Sequence, residues 1–226
     1  MVRRPCCDHP NKTPEYLKSM AQSSYLPSVH PVAIISPQFC APYPVDLTIA
    51  SKLLTITKGD FTATDVNGNV MFRIKGKFFS LHGRHILLDA AGNPILTLQH
   101  KLLTAHKRWQ VFRGDTTDEK DLLFSVKKSS LIQFKTQLDV FLAGNTTEDV
   151  CAFKIKGSWG DRSCTIFLGN TLTIIAQMHK NNIIGRDMFA VTVYPNVDYA
   201  FIVALVVVLE EIHDDRQRNI GQAQAP

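Results

Sequence analysis

Tyr199-Ala200-Phe201-Ile202-Val203-Ala204-Leu205-Val206-Val207-Val208-Leu209 is an unbroken run of eleven apolar residues, and its reading decides the fold. As a helix it spans about 16 Å, roughly half of a 30 Å bilayer core, so a membrane span is not expected. The run has no polar face and must therefore be covered on all sides. Left as a single exposed strand, it would be an aggregation hazard. Pro195 and Asn196 break what precedes it, and Asn196 or Asp198 can cap a helix. Glu210, Glu211, His213, Asp214 and Asp215 follow at once. The run predicts a buried central helix with Phe201, Ile202, Leu205, Val208 and Leu209 in the core. A buried strand is the alternative, because valine and isoleucine are good strand formers.

Such a helix needs an enclosure, and the preceding sequence supplies one. From Val45 onward, short apolar or alternating runs follow each other, separated by Gly, Asn and Asp. The clearest is Leu131 to Leu142, where Ile132, Phe134, Leu138 and Val140 alternate with Gln133, Lys135, Gln137 and Asp139. Phe72 and Ile74 alternate with Arg73 and Lys75, and Phe153 and Ile155 with Lys154 and Lys156. Further strands are expected at Leu47–Ile56, Phe61–Asp65, His85–Asp89, Ile95–Gln99, Trp109–Phe112, Leu122–Lys127, Cys164–Leu168, Leu172–Met178 and Phe189–Tyr194. Asn67-Gly68 suits a tight turn needing positive φ. Asp89-Ala90-Ala91-Gly92-Asn93 repeats the arrangement of Asp65-Val66-Asn67-Gly68-Asn69. Successive hairpins without long helices disfavour a parallel sheet. The expected fold is mainly β: an antiparallel barrel of about twelve strands closed around the terminal helix.

The chain has 226 residues, 45% hydrophobic and 20% charged, with net charge +5 and a pI near 9.0. This is an ordinary globular composition, large enough for one core without disulfide or metal staples. The mild basicity favours anionic partners, but the charge is not concentrated as in a dedicated nucleic-acid binder. Cys6, Cys7, Cys40, Cys151 and Cys164 form no C-x-x-C pair, so reduced thiols are expected. Residues 1–36, with scattered prolines and no period, read as a flexible tail. The domain is expected over 37–213 and a second flexible tail over 214–226. No secretory h-region follows Met1, which points to the cytoplasm and leaves the sequons at Asn11 and Asn145 unused.

Several motifs resemble the plant LURP-one-related family. They are Cys40-Ala41-Pro42-Tyr43-Pro44, Asp65-Val66-Asn67-Gly68-Asn69, Arg108-Trp109-Gln110-Val111-Phe112-Arg113-Gly114, Lys156-Gly157-Ser158-Trp159 and Tyr194-Pro195-Asn196-Val197-Asp198-Tyr199-Ala200-Phe201-Ile202. The resemblance covers about residues 38 to 213. It implies a tubby-like fold of twelve strands around a hydrophobic helix, kinship with phospholipid scramblases, and a link to plant basal defence. It implies no settled molecular activity. Tubby domains bind phosphoinositides through basic residues, so the resemblance also implies an anionic-lipid partner at fold level.

The candidate headgroup ligands are Arg73, Lys75, Lys77, Lys127, Lys128, Lys154 and Lys156, each charge near an anionic surface adding about 1 kcal/mol. The alternative is that any barrel wears charges on its outer face. Cys6 and Cys7 beside Arg3 and Arg4 are candidate acylation sites, a second signal for peripheral attachment to the plasma membrane. His82, His85, His100 and His106 lack ligand spacing and are read as surface or loop residues, and no metal or cofactor is expected. Asp65 to Asn69 begins like a calcium loop, but Gly68 and Gly76 stand at the wrong positions. The stretch Val191 to Asp198 holds one acid, which disfavours the calcium-driven scrambling seen in kin of the fold. No nucleophile elbow, zinc helix or phosphate loop is present, so no enzyme activity is expected. Trp109 and Trp159 are expected to pack the barrel. The leading reading is a monomeric, non-enzymatic, lipid-binding domain. The runner-up is a protein-interaction or nuclear scaffold, related to membrane-tethered transcription factors and binding protein partners.

Overall fold

The structure is a computed structural model that describes residues 31–51, 60–76, 83–101, 108–129, 136–158, 163–183 and 186–223. The strands are β1 (Val45–Ser51), β2 (Phe61–Thr64), β3 (Val70–Gly76), β4 (Arg84–Asp89), β5 (Pro94–Lys101) and β6 (Arg108–Arg113). They continue as β7 (Leu122–Lys128), β8 (Thr136–Leu142), β9 (Phe153–Ser158), β10 (Ser163–Leu168), β11 (Ile174–Ile183) and β12 (Arg186–Val193). Each pairs antiparallel with the next, and β12 pairs with β1, closing a twelve-stranded barrel. Helix α1 (Tyr199–Ala223) fills it.

The alternation that predicted the strands sets the inside of the wall. Phe72 and Ile74 on β3, Leu138 and Val140 on β8, and Phe153 and Ile155 on β9 are all buried against the helix core. The β8 register begins at Thr136, and Ile132 and Phe134 lie outside the described residues. The Asp-led turns behave alike, as their matching sequences suggest. Asp65 accepts the backbone N–H of Asn67 and Asn69, and Asp89 accepts that of Asn93. Gly68 takes φ +83° in the first turn. Gly157 serves close approach instead: a Cβ there would lie 2.5 Å from Cys164 Sγ on β10.

The apolar run is helix, not strand. Inside a closed barrel no neighbouring strand edge is open to it, and a helix satisfies its own backbone groups. Every residue from Ala200 to Leu209 is fully buried, including Phe201, Ile202, Leu205, Val208 and Leu209. Phe201 packs edge-on against Phe124, with ring centroids 5.1 Å apart, and tilts against Phe153 at 4.8 Å. None of the described helices is long and apolar enough to cross a membrane.

Both domain boundaries differ from expectation. Within the stretch expected as a tail over 1–36, the described residues join the domain: Val32 bridges Val197, and the N–H groups of Ile34, Ile35 and Ser36 all donate to Asp198 Oδ2, at 3.2, 2.7 and 3.1 Å. Asp198 Oδ1 accepts Phe201 N–H at 3.0 Å, which makes Asp198 the helix cap. Asn196 instead turns the chain with φ 62°. Burial pushes the Asp198 carboxyl up, against the pull of its four N–H donors. At the other boundary, helix continues to Ala223, so the tail expected from residue 214 begins as helix. Polar residues past Leu209 prolong a helix already nucleated and held inside the barrel.

Candidate anion-binding wall

Because α1 occupies the lumen, the surfaces open to a ligand are the outer wall and the turns. Strand alternation places Arg73 and Lys75 on the outer face of β3, Lys127 on that of β7, and Lys154 and Lys156 on that of β9. These do not form one patch. β3 and β7 are four strands apart in the barrel, on the order of 19 Å along the wall at about 4.8 Å per strand. Lys75 is exposed, and Arg73 Nη1 donates to the Ala90 carbonyl. Lys128 departs from the expected set. It continues the inward parity of Phe124 and Val126 and pairs in register with the buried Leu138. Lys77, Cys6 and Cys7 lie outside the described residues.

The second group is organised. Arg108 on β6, Lys127 on β7, Asp139 on β8 and Lys154 on β9 are successive register partners across the wall. Lys154 Nζ lies 3.5 Å from Asp139 Oδ1, and the exposed Lys156 sits 5.2 Å from the centroid of the Phe167 ring. Between β8 and β9 the loop folds back over this row and presents Glu148. Arg108 grips its carboxylate with both terminal nitrogens, Nη1 to Oε1 at 2.7 Å and Nη2 to Oε2 at 2.8 Å. Lys127 Nζ donates to Oε2 at 2.7 Å and the Ser125 hydroxyl to Oε1 at 3.3 Å. Lys127 also lies 4.5 Å from the centroid of the Phe141 ring. Burial alone would raise the Glu148 carboxyl. The Lys127 hydrogen bond and the Arg108 charge outweigh it and hold the group below the usual glutamate range.

Arg108, Ser125 and Glu148 are absent from the sequence-derived set, although with Lys127 they form one hydrogen-bonded cluster on the wall. One local signal existed. Asn145 stands three residues before Glu148, and its Oδ1 accepts the Glu148 N–H at 2.9 Å, a turn that holds Glu148 at φ 55°. What the sequence lacks is where that turn lands.

The histidines differ from expectation as well. His85 and His100 point into the barrel, where His100 stacks on Trp109 with centroids 5.2 Å apart. His85 Nε2 lies 3.1 Å from Glu211 Oε1 on the emerging helix. Trp109 packs the interior as expected, 2% exposed. Trp159, His82 and His106 lie outside the described residues. Among those described, no three His, Cys, Asp or Glu side chains converge as a metal site.

A family model described as LURP-one-related matches residues 45–210, from the first residue of β1 to the buried end of α1. This chain belongs to the LURP-one-related family. Arabidopsis thaliana LURP-one-related 15 is 50% identical over 189 residues, covering 81% of this chain and 87% of that protein. Arabidopsis LURP-one-related 10 is 51% identical, covering 80% and 97%, and Arabidopsis LURP1 is 48% identical, covering 80% and 90%. An X-ray structure of an Arabidopsis protein, 46% identical, superposes with a TM-score of 0.66 over 80% of this chain and 98% of that one. The matched segment therefore spans Asp198, the buried stretch of the helix, and the strands and loop that carry Arg108, Lys127 and Glu148; Ile34, Ile35 and Ser36 lie before it. No catalytic family is indicated.

Proposed function

We propose that this LURP-one-related barrel is a non-enzymatic module that binds anionic phospholipid, a phosphoinositide, at the cytoplasmic face of the plasma membrane in plant defence signalling. The observation that supports it most is the wall from β5 to β9. Lys101, Arg108, Lys127, Lys154 and Lys156 share that outer surface with two described carboxylates, Asp139 and Glu148. A surface of this kind gathers anionic headgroups by charge, with a strength that falls as salt screens it. The filled lumen supports the same reading, since it leaves no lipocalin-like cavity for a buried ligand. Lys75 on β3 faces another side of the barrel and is assigned a minor share. Acylation of Cys6 and Cys7 would add a second, independent anchor.

Sedimentation of the full chain with vesicles decides the matter. Co-sedimentation with vesicles containing phosphatidylinositol 4-phosphate, absent with pure phosphatidylcholine and weakened by salt, is the expected result. No lipid-dependent shift at low salt would overturn it.

A further inference from the structure

We infer that Arg108, Lys127 and Ser125 form a phosphate site that Glu148 occupies as a built-in competitor, which a phosphomonoester must displace to bind. The inference deepens the anionic-lipid reading and rests on it for the source of the phosphate, though not for the site itself.

The donor set fits an oxyanion better than it fits the carboxylate now in it. Arg108 offers a planar fork, Lys127 an ammonium and Ser125 a hydroxyl, all from adjacent strands β6 and β7. A carboxylate brings two oxygens to these groups, and the hydroxyl is left with a contact of 3.3 Å, well beyond the usual O–H···O distance. A phosphomonoester brings three terminal oxygens and close to two negative charges, so each donor group can have its own acceptor.

Glu148 arrives on a strap rather than a strand. Its left-handed φ of 55° is a conformation that residues with a side chain seldom adopt. The turn is held by Asn145, whose side chain accepts Glu148 N–H and donates to the Val150 carbonyl at 2.7 Å. Glu148 lies between β8 and β9 and takes part in no strand pairing, so releasing its carboxylate breaks none of the wall's ladder. The side chains of Arg108 and Lys127 remain about a quarter exposed, 27% and 25%, so a ligand can reach them. Asp139, the register partner of Lys127, borders the site on the β8 side and is itself engaged with Lys154. A strap that merely pinned its loop would need no such convergence of donors on one tethered anion.

The test compares the full chain with Glu148→Gln, Asn145→Ala and the double variant Glu148→Gln/Arg108→Gln, each checked for a native melting transition. Two probes are used: soluble inositol 1,4,5-trisphosphate by calorimetry, and phosphatidylinositol 4-phosphate vesicles by sedimentation. Glu148→Gln is expected to bind the soluble headgroup at least tenfold tighter than wild type at low salt, with the gain lost in the double variant. Asn145→Ala leaves all four side chains in place but frees the strap, and should tighten binding several-fold. A gain with both probes identifies a lipid headgroup. A gain with the soluble probe, with none of the four proteins sedimenting with vesicles, supports the site while overturning the membrane reading. Vesicle binding that is present and equal in all four proteins, with no gain for the soluble probe, overturns the site and leaves the membrane reading standing on other cations. If neither folded single variant binds the soluble probe more tightly than wild type, Glu148 is not a competitor.

Discussion

Where α1 enters the barrel, one buried carboxylate gathers four backbone N–H groups, from Ile34, Ile35, Ser36 and Phe201. Where it leaves, full burial ends at Leu209, and Glu210, Glu211 and His213 meet a wall lined by His85 and Cys164. The entry is a sequence-distant segment stapled across the helix start by its N–H groups on one carboxylate. The exit is a graded passage from apolar to polar along a single helix. The turns differ in the same sense. Those on the entry side carry Asp65, Asp89, Asp115, Asp118, Glu119, Asp121, Glu148 and Asp149 against Lys120. Two of these turns fold back and hand an acid to the wall, Asp115 to Arg84 at 2.6 Å and Glu148 to Arg108 and Lys127. Among the described residues, acids thus crowd the entry turns while the cations named above lie on the wall. On the proposed lipid-binding reading, the entry side would repel an anionic surface and the wall would meet it.

The comparison presupposes a helix held between the two ends, and the most severe way to break it is in the middle. Leu205 is fully buried, with wall on every side. Leu205→Glu places a charge there with no partner, at a cost of about 5 kcal/mol or more, which equals the whole stability of many domains. The expected result is loss of the cooperative thermal transition and of soluble yield. A folded, soluble Leu205→Glu protein would mean the helix is not the core.

A smaller effect probes the entry. In Asp198→Asn one of the two acceptor oxygens becomes an NH2 group, so either the Phe201 N–H or the three N–H groups of 34–36 face a donor. With the buried N–H groups unsatisfied, the expected loss is about 2–3 kcal/mol. A shift of the denaturant midpoint with an unchanged slope would measure it. A loss below about 1 kcal/mol would show that the clasp closes nothing.

The sequence made the helix legible because an apolar run with no polar face has few places to go, and made the wall legible through alternation at residues such as Phe153, Lys154, Ile155 and Lys156. It also supplied Asp198 as a candidate cap. What it withheld depends on contacts between distant segments. Nothing near Ile34, Ile35 and Ser36 announces a carboxylate more than 160 positions away. Arg84-His85-Ile86-Leu87-Leu88 lacks clean alternation, and His85, Ile86 and Leu87 are all buried, so the inward direction of His85 is hidden in the sequence. Lys127-Lys128 looked like a basic pair, yet adjacent residues of one strand face opposite sides. Glu148 looked like one acid in a polar loop, since the Asn145 turn is local but its landing point on β6 and β7 is not.

The smallest effect belongs to the exit, and it sharpens the contrast because the chemistry of the substitution is the same. Glu211→Gln, like Asp198→Asn, replaces a carboxylate by its amide. Glu211 makes one contact to His85, and its side chain is 13% exposed. The glutamine keeps an oxygen able to stand 3.1 Å from Nε2, and its new NH2 group has room to turn toward solvent. The expected cost is therefore within about 1 kcal/mol, less than half that of Asp198→Asn. Both variants can be measured by the same denaturant titration, which makes their ratio more secure than either value. If Glu211→Gln costs as much as Asp198→Asn, the exit is closed as tightly as the entry. The two ends would then differ in the residues used and not in how firmly they hold the helix.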